Sequence, residues 1–150
     1  LNDLDYCVIR LSNPYGWNPN VKKQQGVINV FIDQIIRHQH IEVWGDGSVI
    51  RDYIHIDDAV SALIAVLKKN VKNDVFNIGA GEGASIRDLL DILRMAMAFE
   101  FTVDYKGGRK FDVPEIVLDI SKARRQFGWQ PIIKLEESVL VLVADTLKSR

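Results

Sequence analysis

The chain has little of what would betray a specialised chemistry by itself. A single cysteine, Cys7, among 150 residues excludes a disulfide framework and makes a reducing, cytoplasmic setting the default expectation. His38, His40 and His55 are the only histidines, and none has a companion at metal-ligand spacing, so no metal site is predicted. Nineteen Lys and Arg against twenty Asp and Glu leave a net charge of −1, which removes the bulk case for nucleic acid. No apolar run approaches the ~20 residues needed to cross a bilayer, and residues 1–9 are too acidic and short for a signal peptide, so no membrane partner is expected. Repeats and low-complexity tracts are absent too. What is present, 47% hydrophobic and 26% charged residues, is the composition of one ordinary globular domain with a real core.

The apolar periodicity predicts strand 6–11, an irregular polar loop 12–25, helix 27–38, strand 41–44, a reversal, strand 53–56 and helix 58–69. Strand 75–78, a glycine turn, helix 86–99, strand 102–105, a basic loop 106–111, strand 116–119 and helices 121–127 and 135–148 follow. Alternating strands and helices give an α/β class.

The most informative stretch is Val43 to Val60. Ile41 to Trp44 is a short apolar run, Gly45-Asp46-Gly47 supplies the residues of a tight reversal, and Tyr53 to Ile56 resumes an extended pattern. Asp57 or Asp58 is then predicted to N-cap a helix whose apolar stripe is Val60, Leu63, Ile64 and Leu67. In a strand, Arg51, Tyr53 and His55 share one face, setting a guanidinium beside an aromatic ring. That pairing suits a phosphate next to a flat base. His55 itself reads as a packed or hydrogen-bonded residue, and Gly128-Trp129-Gln130-Pro131 as a helix stop with an apolar plug.

Gly79-Ala80-Gly81-Glu82-Gly83-Ala84 follows an apolar run and precedes a helix, matching G-x-G-x-x-A, with Asp104 near the spacing of a ribose-binding acid. Three features argue against a dinucleotide site. The preceding strand is interrupted by Asn77, Glu82 would face the pyrophosphate, and Ser85 reads as the N-cap, so the helix starts after the glycines instead of within them.

Several ordered motifs resemble those of the extended short-chain dehydrogenase/reductases that act on nucleotide sugars. Residues 43–60 are similar to that family's most characteristic segment. Leu11-Ser12-Asn13-Pro14-Tyr15-Gly16 resembles its R-x-x-N-x-Y-G loop, with Arg10 slightly displaced, and Gly26 to Phe31 its G-V-I-P-x-F helix start. Arg109 to Pro114 resembles R-x-G-D-x-P, with Phe111 replacing the glycine, and Phe127 to Pro131 its closing L-G-W-x-P. The resemblance implies an NAD-dependent enzyme and a UDP-sugar substrate, with a 4-epimerase favoured. A 4,6-dehydratase, a decarboxylase or a non-catalytic nucleotide-sugar-binding module are the alternatives.

It also implies roles. Arg51 and Arg109 would contact the diphosphate and Asn13 a phosphate oxygen. Trp44 would pack against the base, with Tyr53 near it, and Asp112 would sit by the ribose hydroxyls. Val27 and Ile28 would line the substrate from the helix start. Ile116 would occupy the position that gates the sugar C2 substituent, and Pro14 and Tyr15 would pass the nicotinamide. Family members run to about twice the length of a typical domain, and the glycine-rich NAD turn and Tyr-x-x-x-Lys pair are not found here. Tyr6, Tyr15, Tyr53 and Tyr105 are followed four positions later by Arg10, Pro19, Asp57 and Arg109. The chain is therefore expected to be the C-terminal, substrate-binding portion, with residues 6–11 as the last strand of the cofactor domain and the N-terminal Rossmann half missing. It should bring no catalytic residue of its own, be inactive alone, and belong to a homodimer when complete.

Overall fold

The computed structural model describes residues 4–16, 25–108 and 112–148. Its central strand is β4 (Ile50–His55). The first half of β4 is flanked by β6 (Gly83–Ser85), antiparallel, and β8 (Glu115–Ile116), parallel, while its second half pairs with β2 (Asn13–Tyr15), parallel. Two further parallel pairs complete the strands: β1 (Cys7–Leu11) with β5 (Asp74–Ile78), and β3 (Ile41–Trp44) with β7 (Val103–Lys106).

Successive residues of a strand face opposite sides, and β4 uses this to feed two cores. Tyr53 enters a core built by α1 (Val27–Ile36), α3 (Ile86–Ala96) and α5 (Leu135–Lys148), whose buried members include Phe31, Ile35, Leu90 and Val143. Ile54 enters the other, where Phe76 and Ile78 of β5 meet Ala62 of α2 (Ile56–Lys68) and Phe127 of α4 (Ser121–Phe127). Fully burying side chains of this size favours the fold by roughly 1.5–3 kcal/mol each. At the start of α3 the Ser85 hydroxyl accepts the Asp88 N–H while the Asp88 carboxylate accepts the Ser85 N–H, a reciprocal cap that fixes where the helix begins. Gly128, at φ 67°, ends α4, and Trp129 plugs the end with its indole N–H donated to Ser61.

The α/β class and the element order stand, with local departures. The segment expected to be an irregular loop from 12 contains β2, because Asn13–Tyr15 gains a ladder partner in β4. The glycine turn ends in β6 for the same reason, and the helix expected to reach residue 99 stops at Ala96. A larger correction concerns α2. Its cap is His55, whose ring accepts the Asp57 N–H, and Asp58 is instead buried, its carboxylate accepting the N–H groups of Ile132 and Ile133. The face turned to the protein carries Ala59, Ala62 and Val66, which join the core of Ile54, Phe76 and Ile78. The expected apolar stripe, Val60, Leu63, Ile64 and Leu67, is exposed.

Candidate functional site

A cleft of about 820 Å³ opens where the edge of β3 and β7, the turn after β3, the start of α3 and residues 112–114 meet. In β3, Ile41 and Val43 are buried while Glu42 and Trp44 face out, so strand alternation delivers Trp44, 49% exposed, to the cleft wall. Tyr105 and Lys106 of β7 line it too. Gly45 and Gly47 then adopt φ of 82° and 79°, a region that other residues enter only with strain. Between them, the Asp46 carboxylate accepts the Ser48 N–H at 2.9 Å and the Ser48 hydroxyl at 2.6 Å through one oxygen. Its other oxygen faces the Arg87 guanidinium at 2.9 Å. These bonds, the Ser48 hydroxyl foremost, hold the Asp46 carboxyl below the usual carboxylate range.

The segment that contributes Asp112 and Pro114 to the cleft is sewn to β4. Ile50 N–H donates to the Pro114 carbonyl at 2.8 Å, and Arg51 Nη1 donates to the Val113 carbonyl at 2.9 Å and to Ile50 O at 2.7 Å. Arg51 pairs with Ile116 in the ladder, so the guanidinium and the expected gatekeeper are neighbours, Ile116 being 43% exposed. Arg109 lies outside the described residues, although Gly108 and Asp112 on either side of it both line the cleft.

The remaining expected site residues are spread along β4 and into the core. Asn13 is exposed on β2, opposite Tyr53 in the ladder, with its amide donating to the Asp52 carbonyl at 2.8 Å. Pro14 is exposed, but Tyr15 is buried, its hydroxyl 2.6 Å from that of Ser138 and its ring edge-on to His55. Burial raises the Tyr15 pKa. Tyr53 is 6% exposed and lines a separate cavity of about 100 Å³ beside Pro131 to Leu135, not the cleft of Trp44. Burial, only partly offset by Arg51, pushes its hydroxyl up to about 12. At the start of α1, Val27 is half-buried whereas Ile28 is 1% exposed, so the Ile28 side chain packs in the core. Asp46, Ser48, Arg87 and Tyr105 were not expected in the cleft. Asp46-Gly47-Ser48 is a composition in which an Asx-turn can be read, but nothing local couples it to Arg87, 41 residues away.

The glycine turn 79–84 has its donors engaged from within. Asp52, fully buried, accepts the N–H groups of Ala80 at 2.7 Å, Gly81 at 3.2 Å and Leu118 at 3.2 Å. A Cβ at residue 79 would collide with that carboxylate, which explains its glycine. The turn runs into β6, antiparallel to β4, and not directly into a helix. A pyrophosphate finds its would-be amides occupied and a negative charge behind them, so this turn does not fit a dinucleotide.

Comparisons with known proteins agree with this architecture. Residues 1–79 match the model of the NAD dependent epimerase/dehydratase family. A Methanocaldococcus jannaschii protein assigned as a UDP-glucose 4-epimerase is 36% identical over 139 residues, 93% of this chain and 45% of its own length. The dTDP-4-dehydro-6-deoxyglucose reductase of Escherichia coli is 30% identical over 90% of this chain and 43% of its own. The structure of UDP-glucose 4-epimerase with UDP-glucose from Thermotoga maritima superposes with a TM-score of 0.88 at 34% identity, over 97% of this chain and 47% of that one. The chain thus spans about half the length of the relatives it matches, and no helix among the described residues is long and apolar enough to cross a membrane. It belongs to the NAD-dependent epimerase/dehydratase family.

Proposed function

We propose that this chain is the substrate-binding part of an NAD-dependent nucleotide-sugar 4-epimerase, and that its cleft holds the nucleotide of a UDP-sugar while the sugar is oxidised and re-reduced at C4. The observation that carries this reading is the junction of an exposed aromatic, Trp44, and a carboxylate, Asp112, in one cleft, with Arg51 fastened to the same wall through Val113. An indole face serves a base, a carboxylate the ribose hydroxyls, and a guanidinium the diphosphate. By resemblance Arg109 would contribute a second guanidinium to the diphosphate, and Asn13 a neutral donor.

These residues are anchors. They hold the nucleotide so that the sugar can turn, which is remote binding energy directed at positioning. NAD supplies the hydride acceptor and donor when bound. Of this chain, Pro14 is exposed and able to line it, and Tyr15 supports that strand from the core. The bulk of the cofactor site and the proton-transferring residues would lie in the half of the family fold that this chain does not span. The exposed stripe of α2 is an apolar face suited to packing against that half, and this chain alone would be inactive. A homodimer is expected by resemblance alone.

Calorimetry on the complete protein tests this. UDP should bind far better than free glucose or galactose, and Arg51→Ala should cost on the order of 2–5 kcal/mol of UDP affinity by removing a charge-assisted contact. Equal affinity for UDP and the free sugars would sink the reading. A 4,6-dehydratase or decarboxylase would share the grip, so product analysis with UDP-glucose separates them from an epimerase.

The exposed Ile116 beside Arg51 supports a finer reading: a side chain smaller than tyrosine leaves room for a C2 acetamido group, so UDP-N-acetylglucosamine is accepted as well as UDP-glucose. Ile116→Tyr should depress kcat/KM for the acetamido sugar selectively. A parallel fall for both, or rejection of the acetamido sugar by the wild type, removes the gatekeeper assignment.

A further inference from the structure

Beyond the Gly45 N–H, which donates to the Lys106 carbonyl at 3.0 Å, the turn that follows Trp44 is held to the rest of the fold by Arg87. Arg87 donates its backbone N–H to the Gly47 carbonyl at 3.1 Å, its Nε to the Asp46 carbonyl at 2.7 Å, and its Nη2 to the Asp46 carboxylate at 2.9 Å. The same carboxylate secures Ser48. Both side chains of the pair are more than half exposed, Arg87 by 55% and Asp46 by 66%, and exposed pairs of this kind add little to stability. Their value lies in what they join. Arg87 sits in the first turn of α3, between the members of the Ser85–Asp88 cap, on a helix anchored by buried Leu89, Leu90 and Leu93. Gly45 to Ser48, by contrast, is a turn with two glycines at positive φ and little buried apolar surface. Without a tether such a backbone has more conformations to choose from, and the Trp44 ring and the cleft wall at Ser48 and Val49 depend on which it takes. At Gly47 a Cβ would come within 3.1 Å of the Arg87 side chain, so the two are already in close contact.

The geometry points to Arg87 as a positioning residue for nucleotide binding: its two-pronged grip on Asp46, backed by the rigid start of α3, fixes the glycine turn so that Trp44 meets the nucleotide base. The assignment rests on the reading of the cleft as a nucleotide site. Arg87 is not required to touch the ligand. A guanidinium can grip a carbonyl and a carboxylate at once; a lysine ammonium is a single point of charge and cannot reproduce the fork.

The test uses the complete protein, with UDP and inorganic pyrophosphate as probes followed by calorimetry and by tryptophan emission. Arg87→Ala should weaken UDP by about tenfold while leaving pyrophosphate affinity and the melting temperature close to wild type, because the diphosphate grip at Arg51 is untouched. Arg87→Lys should lose about as much as the alanine variant. If lysine restores UDP affinity, or if pyrophosphate weakens in step with UDP, Arg87 acts as a charge on the phosphates and the positioning role is overturned. UDP affinity unchanged in Arg87→Ala overturns it as well, as does a loss that tracks a large fall in melting temperature in both variants. Failure of the wild type to bind UDP would instead remove the nucleotide reading of the cleft, and the role of Arg87 with it.

Discussion

Gly45–Ser48, with Gly45 and Gly47 at positive φ, and Gly79–Ala84, with Gly81, are both reversals that follow a short apolar strand, yet they do opposite work. In the second, the N–H groups of Ala80 and Gly81 turn inward to the Asp52 carboxylate, and the loop joins β5 to β6 with those donors already filled. In the first, the polar contacts lie at the rim, between Asp46, Ser48 and Arg87, and the turn faces a cleft of about 820 Å³. Glycines grant a backbone the freedom to reverse. Where its donors then point, and what already fills them, decides whether a ligand can follow.

The strongest way to break the contrast is to empty the second turn. Asp52→Ala removes the acceptor of three part-buried N–H groups, and hydrogen bonds to a charged group are worth roughly 1.5–3 kcal/mol each; denaturant unfolding should show a loss of several kcal/mol, enough to threaten the fold. A variant as stable as the wild type would mean that the turn does not depend on Asp52. A smaller test sharpens the comparison. Gly81→Ala and Gly47→Ala both place a Cβ at positive φ and should each cost on the order of 1 kcal/mol. Only Gly47→Ala should weaken UDP, whereas Gly81→Ala should leave NAD affinity of the complete enzyme nearly unchanged. A selective loss of NAD binding in folded Gly81→Ala, followed by fluorescence, would return the second turn to the dinucleotide sites.

The smallest effect is confined to alkaline pH. Tyr53, next to Arg51 on β4, has its pKa raised to about 12 by burial, above the value near 10 of an unfolded tyrosine. A raised pKa means that the native state holds the proton more tightly, so this contribution is complete below pH ~10 and is lost as pH rises toward ~12. Ultraviolet titration should show a late phenolate step that vanishes in Tyr53→Phe, with alkaline unfolding displaced upward in that variant. A Tyr53 ionising with the exposed tyrosines would contradict its place in the core.

Turn and cap chemistry made part of the site legible. Trp44, in a short apolar run that reads as buried, owes its expected place against the base to the resemblance and its outward direction to the structure, but the Gly45-Asp46-Gly47 reversal and the Ser85 helix start are spelled locally. Such features involve neighbours a few residues apart, and the sequence carries them directly. The resemblance extended this to Asp112 and Ile116, which the fold brings to the cleft wall and to the ladder beside Arg51. Period alone misled at α2: Val60, Leu63, Ile64 and Leu67 make a clean apolar stripe, but the small face of Ala59 and Ala62 is the one that is buried in the core.

What the sequence determined by itself, then, is the α/β alternation, the family, the reversal after β3, and the choice of Ser85 over the glycines as the start of α3, because each depends on local period, turn chemistry, capping or motif order. Only the tertiary structure decided that Asp52 fills the turn at 80–81, that Asp58 serves Ile132 and Ile133 and leaves the α2 cap to His55, and that Arg87 reaches Asp46. Those pairings join residues 28 to 75 positions apart. A buried carboxylate must find donors, but which donors come within 3 Å depends on how the strands and helices close upon one another, and no local period encodes that distance.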